Sequence, residues 1–410
     1  MYQWIKQVWV WSLVCCLAAL PLSAQPAVKL GVDVLAESEF EALRGQRVGL
    51  VANPASVAGD LTSTVDVLMQ GAKDGHFTFV ALYGPEHGVY GDEYAGDKID
   101  DRVDPRTGLP ARSLYGKTRK PSPEMLADID TLVFDLQDIG SRSYTYISTM
   151  TLCLEACIEQ GKRFVILDRP NPLGGERIEG PGITPQFQSF ISQIDVPYVH
   201  GMTMGELALI ERDRIDPDYD GLVIVKMQGW TRDMNWEDTG LNWVPTSPHI
   251  PFASSCAAYA ATGVLGELGI ASNGVGYTLP FEVVGMPKID GDALAAKLNT
   301  LNLKGVDFRP ARFKPFYATH EGEVCGGVQL YLDPDAEANF YEINFILIDA
   351  LGLCPRLKDH KKVSGFDKAN GTDATRLALA GDVNPTGLFR QWRSYSRAFR
   401  QAREQFLLYD

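Results

Sequence analysis

Cationic side chains are in short supply. The 410-residue chain has 38 Lys and Arg against 52 Asp and Glu, a formal charge of −14. A phosphate backbone is bound by a basic face, so this balance excludes nucleic acid as a partner. Cysteine is also scarce. Of seven, Cys15 and Cys16 fall in the N-terminal apolar segment, and the other five are irregularly spaced. An odd, irregular set is no disulfide framework, and Cys153 and Cys157, four apart on a predicted helix, read as a buried face rather than a metal pair. Beyond the first 24 residues no run is apolar enough to span a bilayer, and no low-complexity tract interrupts the chain. Reaction motifs are missing too. There is no G-x-S-x-G elbow, no Walker loop and no H-E-x-x-H, and no G-x-G-x-x-G follows the first strand. Gly274-Val-Gly276 is a lone G-x-G, and Asp97 to Asp104 lacks the Gly and closing Glu of a calcium loop. Neither a cofactor nor a metal is expected.

What is present begins with a leader. MYQWIK, the apolar VWVWSLVCCLAALPL and a small residue before Gln25 read as a secretory signal peptide over 1–24, cleaved after Ala24. Export follows, to the periplasm or the medium, with no stable membrane span after cleavage.

From Arg47 onward, continuous Val/Leu/Ile/Phe runs alternate with amphipathic segments. RVGLVANP (47–54), TFVALYGP (78–85), TLVFDLQD (131–138), RFVILDRP (163–170) and GLVIVKM (221–227) lack polar alternation, as parallel strands covered on both faces do. Helical spacing fills the gaps between them. The spacing predicts an α/β fold: a Rossmann-like, mostly parallel sheet with helices on both faces, over 25–250. A Trp-, Pro- and Asn-rich stretch at 230–255 marks the boundary to a smaller C-terminal α/β domain, 251–410, that closes a cleft. The end, from Thr386, reads as one long helix with Leu388, Trp392, Tyr395, Phe399 and Phe406 as its docking stripe and a solvated Arg face.

The strands end alike. TFVALY runs into Gly84-Pro85-Glu86-His87-Gly88; TLVFDL into Gln137-Asp138, then Arg142, Tyr144 and Tyr146, with Asp135 inside the strand; RFVIL into Asp168-Arg169-Pro-Asn171. Ligands of open α/β sheets bind beyond the carboxyl ends of the strands, so these carboxylates are expected at one site. Glycoside hydrolysis needs a protonated acid at the leaving oxygen and usually a second carboxylate. Glu86, in a tight loop, is expected to have its pKa raised by desolvation and to act as the acid, with Asp135, Asp138 or Asp168 as the second group. Tyr144 and Tyr146 offer flat faces for a sugar, as do Trp230, Trp236 and Trp243, unless the tryptophans are core. Arg142 and Arg169 suit bidentate capture of a substrate carboxylate, or else pair with Asp138 or Asp168.

GPEHGVYGDEYAGDKIDD, DPRTGLPARSLYGKTRKPSPEML, VFDLQDIGSRSYTYISTM, ILDRPNPLGG, VPYVHGMTMGELA and NWVPTSPHIP resemble the signature blocks of the exo-β-N-acetylmuramidases, formerly domain of unknown function 1343. The likeness runs from about residue 31 to the C-terminus. It implies removal of non-reducing terminal N-acetylmuramic acid from peptidoglycan fragments, with the site in a cleft between two domains and Glu86 as the acid. It implies further that His87, Asp135, Asp138, Arg142, Tyr144, Asp168, Asn171, His200 and Glu206 contribute to the cleft. The lactyl carboxylate of muramic acid matches an Arg. One loop departs from the family pattern: where S-x-G-R-G-T is common, Ser272-Asn273-Gly274-Val275-Gly276-Tyr277-Thr278 lacks the Arg and gains Tyr277, a further substrate-binding candidate. The partners expected are MurNAc-GlcNAc saccharides or muropeptides. Two other readings stay open at this point: a muropeptide-binding protein without turnover, and a metal-dependent hydrolase or amidase.

Overall fold

The computed structural model describes residues 28–93, 100–358, 360–361, 363–381 and 385–410; the leader lies outside them. Seven strands form the larger sheet: β1 (Arg47–Ala52), β2 (Thr78–Gly84), β3 (Arg102–Val103), β4 (Pro110–Ser113), β5 (Thr131–Asp135), β6 (Arg163–Leu167) and β7 (Leu222–Val225). Their order is β3-β4-β2-β1-β5-β6-β7, and every neighbouring pair is parallel except β3 with β4. The order reverses at β1, whose successors lie on opposite sides, and this is the switch point at which such sheets open a crevice.

Both faces of the sheet are covered. Along β5, Val133 joins one buried cluster while Leu132 and Phe134 join the other; along β6, Val165 and Leu167 alternate in the same way with Phe164 and Ile166. Double burial explains runs with no polar alternation. Strands β3 and β4 carry no such run. They extend the sheet beyond β2 as a short, partly exposed edge on which Pro110 stands at the first position, where the missing N–H costs no ladder bond.

Helix Ser254–Gly266 opens the second layer system. It packs on helix Phe340–Ala350 beside an antiparallel sheet of β8 (Val283–Met286), β9 (Val306–Phe313) and β10 (Cys325–Leu332), ordered β8-β10-β9. The C-terminal segment differs from the expected single helix. Helix Pro385–Ala402 passes into a 3-10 turn, Arg403–Phe406, and then an extended tail that leaves the helix axis. The tail turns back onto the larger sheet's loops: the Leu408 N–H donates to Glu206 Oε1 at 2.9 Å, and the Tyr409 hydroxyl to Asp168 Oδ2 at 2.7 Å. The stripe is as expected at Leu388 and Trp392, which are buried in the second core. The Arg face is not wholly solvated, because Arg403 is buried and donates to the carbonyls of His200 and Gly201.

Candidate active site

The chain leaves β2 through a turn closed by Gly88 N–H on the Pro85 carbonyl at 2.9 Å. His87 takes the left-handed conformation at φ +72°, a state that costs a non-glycine residue roughly 1–3 kcal/mol and persists only where surroundings enforce it. Here the enforcing contacts are burial of the ring and a 2.9 Å hydrogen bond between Nδ1 and the Glu93 carbonyl. The loop folds back so tightly that a Cβ on Gly84 would stand 3.0 Å from the Val89 nitrogen. Glu86 is thereby aimed at the N-terminal turn of helix Thr145–Glu159, where its Oε2 accepts from the Thr145 hydroxyl at 2.8 Å.

Glu86 and His87 stand on the wall of a cavity of about 250 Å³. Tyr144, Thr145 and Tyr146 come from the helix start, Ser247 and His249 from the inter-sheet connection, and Tyr259, Glu267 and Phe281 from the second unit. Aromatic edges pave one side: Tyr144 meets Tyr146 at 4.8 Å, and Tyr259 meets Phe281 at 4.8 Å, between centroids. Burial raises the phenols of Tyr144, Tyr146 and Tyr259, so each stays a neutral donor. The Tyr115 phenol is pushed up to about 12 by burial and by the charge of nearby Glu86. His249 is lowered, by burial first and then by its neighbour His87, which leaves a neutral imidazole at pH 7. Glu267 is reached by solvent yet enclosed by cavity walls, and that desolvation raises its carboxyl.

Several residues expected at the site lie elsewhere. Asp135 is fully buried and held by Arg169 and the Thr64 hydroxyl, so neither Asp135 nor Arg169 is available to a substrate. Among the described residues Arg142 has no carboxylate partner. It is sealed in the interior and donates to the carbonyls of Pro181 (2.5 Å), Val196 (2.6 Å) and Ala369 (3.1 Å), which ties three segments together. Asp168 accepts from Thr203 Oγ1, the Gly205 N–H and Tyr409, at the start of helix Met204–Ile215. Glu206 closes a capping box with Thr203 and pairs with Arg232 at 2.7 Å. Thr203-Met-Gly-Glu206 carries the S/T-x-x-E signature of that cap, so the sequence did hold the signal for a structural role.

Asn171 braces a turn through the Leu173 N–H and the Met202 carbonyl. Asp138 accepts from the Gly140 N–H and lies 3.4 Å from His200 Nε2; both side chains are buried and neither lines the cavity. Tyr277 packs on Phe313 and Phe316 instead of lining the cavity. The tryptophans are packing residues: Trp230 is buried against Tyr409, and Trp236 against Trp243. Of the expected residues, Glu86, His87, Tyr144 and Tyr146 meet on one wall. Tyr115, His249, Tyr259 and Glu267 join them without having been singled out. His249 lay in plain view in the NWVPTSPHIP block, whereas Glu267 follows a helix whose pattern announced only a core face.

A paved cavity with carboxylates from two units, set at the carboxyl edge of a parallel sheet, defines a site of the glycoside-hydrolase type. Residues 48–254 match the family model described as exo-β-N-acetylmuramidase NamZ, N-terminal, and residues 257–409 match its C-terminal counterpart. The chain is 40% identical over 386 residues to the peptidoglycan β-N-acetylmuramidase NamZ of Bacillus subtilis strain 168, covering 94% of this chain and 92% of that protein. Crystal structures of two DUF1343 family proteins from Bacteroides fragilis NCTC 9343 share the fold. One superposes with a TM-score of 0.86 at 43% identity over 94% of this chain and 99% of that one; the other with 0.74 at 25% identity over 93% and 99%. The chain belongs to the NamZ exo-β-N-acetylmuramidase family.

Proposed function

We propose that the protein is an exo-acting glycosidase that hydrolyses the β-1,4 bond of non-reducing terminal N-acetylmuramic acid in peptidoglycan fragments. The observation that carries this reading is Glu86, held by the G-P-E-H-G turn on the wall of a cavity on the scale of one amino sugar, in a chain of this family. Glu86 is proposed as the general acid that protonates the departing oxygen. Tyr144 and Tyr259 offer ring faces to the sugar, while Tyr146, its hydroxyl donating to the Thr246 carbonyl, backs the Tyr144 ring. Glu267 is the other carboxylate on the wall among the described residues and is proposed as the second group.

The organisation proposed with this activity is a catalytic Rossmann-like domain over 25–250, a closing domain over 251–410 and an exported location, periplasmic or secreted, after removal of 1–24. MurNAc-GlcNAc saccharides or muropeptides are the substrates proposed. The test is release of free N-acetylmuramic acid from MurNAc-β-1,4-GlcNAc by wild type and by Glu86→Gln, with and without EDTA. Turnover lost in the variant and indifferent to EDTA supports the reading; no turnover by the wild type rejects it, and EDTA-sensitive turnover points to the metal-dependent hydrolase.

A further inference from the structure

The divergent loop 272–278 has a mechanical connection to the cavity mouth. The Gly276 carbonyl accepts the Phe316 N–H at 2.6 Å, while Tyr277 packs its ring at a tilt against Phe313 at 5.4 Å and Phe316 at 6.1 Å between centroids. Gly276 sits at φ +84°, and a Cβ there would come within 2.1 Å of the Tyr317 carbonyl oxygen. The loop therefore works as a buttress that sets the tip of the β9–β10 hairpin. That tip presents two large rings to solvent, Phe316 at 67% and Tyr317 at 43% exposure. Tyr317 also meets the cavity: its hydroxyl contacts Nε2 of His249, a wall residue. Tyr317 thus carries the paved wall outward on the side contributed by the second unit, with Phe316 next to it on the hairpin tip.

Resting on the exo-glycosidase reading, the cavity holds the terminal sugar, and the sugar across the scissile bond emerges at the mouth. We propose that Phe316 and Tyr317 form the binding surface for that leaving sugar, a neutral β-linked N-acetylhexosamine, with His249 fixing the Tyr317 ring. Aromatic faces take up the C–H faces of pyranose rings, and a Tyr adds a hydroxyl at the polar edge. The neutral occupant follows from the parent reading, in which the departing sugar is an uncharged N-acetylhexosamine; the tip itself carries exposed charges of both signs, Lys314 against Glu321 and Glu323. The surface recognises the aglycone sugar, so it selects chain fragments over simple glycosides.

The experiment compares kcat/KM for MurNAc-β-1,4-GlcNAc and for methyl β-N-acetylmuraminide, in wild type and in Phe316→Ala, Tyr317→Ala and Tyr317→Phe. Either alanine variant is expected to reduce the preference for the disaccharide about three- to tenfold and to weaken inhibition by free GlcNAc in parallel. Tyr317→Phe, which keeps the ring, is expected to retain most of the preference. Equal losses on both substrates, or an unchanged ratio with an active wild type, would overturn the platform alone. A wild type inactive on both would overturn the parent reading and the platform with it.

Discussion

Arg169 grips Asp135 in a bidentate pair, Nε to Oδ1 at 2.5 Å and Nη2 to Oδ2 at 2.9 Å, with both side chains buried. The same guanidinium reaches the Val57 carbonyl at 2.7 Å, and Thr64 Oγ1 closes the other side of the carboxylate at 2.5 Å. The carboxylate at the end of β5 therefore anchors the loops around β1 from within.

Breaking this pair tests its structural character. Arg169→Met leaves a buried carboxylate without its cation and is expected to cost about 3–5 kcal/mol of stability, read from urea unfolding. The fraction that stays folded is expected to turn over within a small factor of wild type. Lost turnover with unchanged stability would return Asp135 to the reaction.

Asp168 carries a pH signature. Burial raises its carboxyl to about 6 from an ordinary 3.8, against the opposing pull of the Tyr409, Gly205 and Thr203 donors. The folded state therefore binds the proton more tightly than the unfolded one, so this group's contribution is present below about pH 4 and is lost as pH rises toward 6. Over that interval it amounts to roughly 3 kcal/mol. Measured against Asp168→Asn, wild-type stability should fall between pH 4 and 6 and run parallel above it. Parallel curves throughout would show that the carboxyl titrates normally.

Tyr409→Phe removes one donor from that carboxylate, which sits 241 residues away in sequence. The loss expected is about 1.5–3 kcal/mol at pH 7, the usual worth of a hydrogen bond to a charged group. It should shrink at pH 4, where the carboxyl is protonated. Calorimetry at the two pH values decides it.

Glu86 and Glu267 are separable by leaving group. Replacing the general acid slows hydrolysis of the disaccharide by about 10²–10⁴-fold but spares substrates whose leaving group needs no proton. Replacing the other carboxylate slows both. With Glu86→Gln and Glu267→Gln assayed on MurNAc-GlcNAc and on a dinitrophenyl muraminide, the variant that recovers on the activated substrate has lost the acid. Recovery by Glu267→Gln alone would reverse the roles proposed for Glu86 and Glu267.

The larger sheet was legible because burial on both faces writes an unbroken apolar run, as in Leu132-Val133-Phe134. Strands β3 and β4 were not, since an exposed edge of two to four residues leaves no periodicity. At the site, motif content pointed to the correct edge of the sheet but could not sort its residues. Asp135 and Glu86 look alike as acids after apolar strands, and only the third dimension puts Arg169 on one and an open cavity beside the other. Arg142 misled for the same reason: carbonyl partners from residues 181, 196 and 369 carry no side-chain signature. Glu267 was hidden because a partner contributed by a distant segment has no motif of its own.

The tail that closes on Asp168 and Glu206 sets an order of events for a chain emerging from a ribosome or a translocation pore. Strand β6 and helix Met204–Ile215 are made well before Leu408 and Tyr409, 202 and 241 residues downstream of the carboxylates they reach, and until those two arrive the buried Asp168 and Glu206 lack their tail donors. The earlier half is thus held short of its final stability while the later half is made, and the last contacts to form act as a clasp on the first.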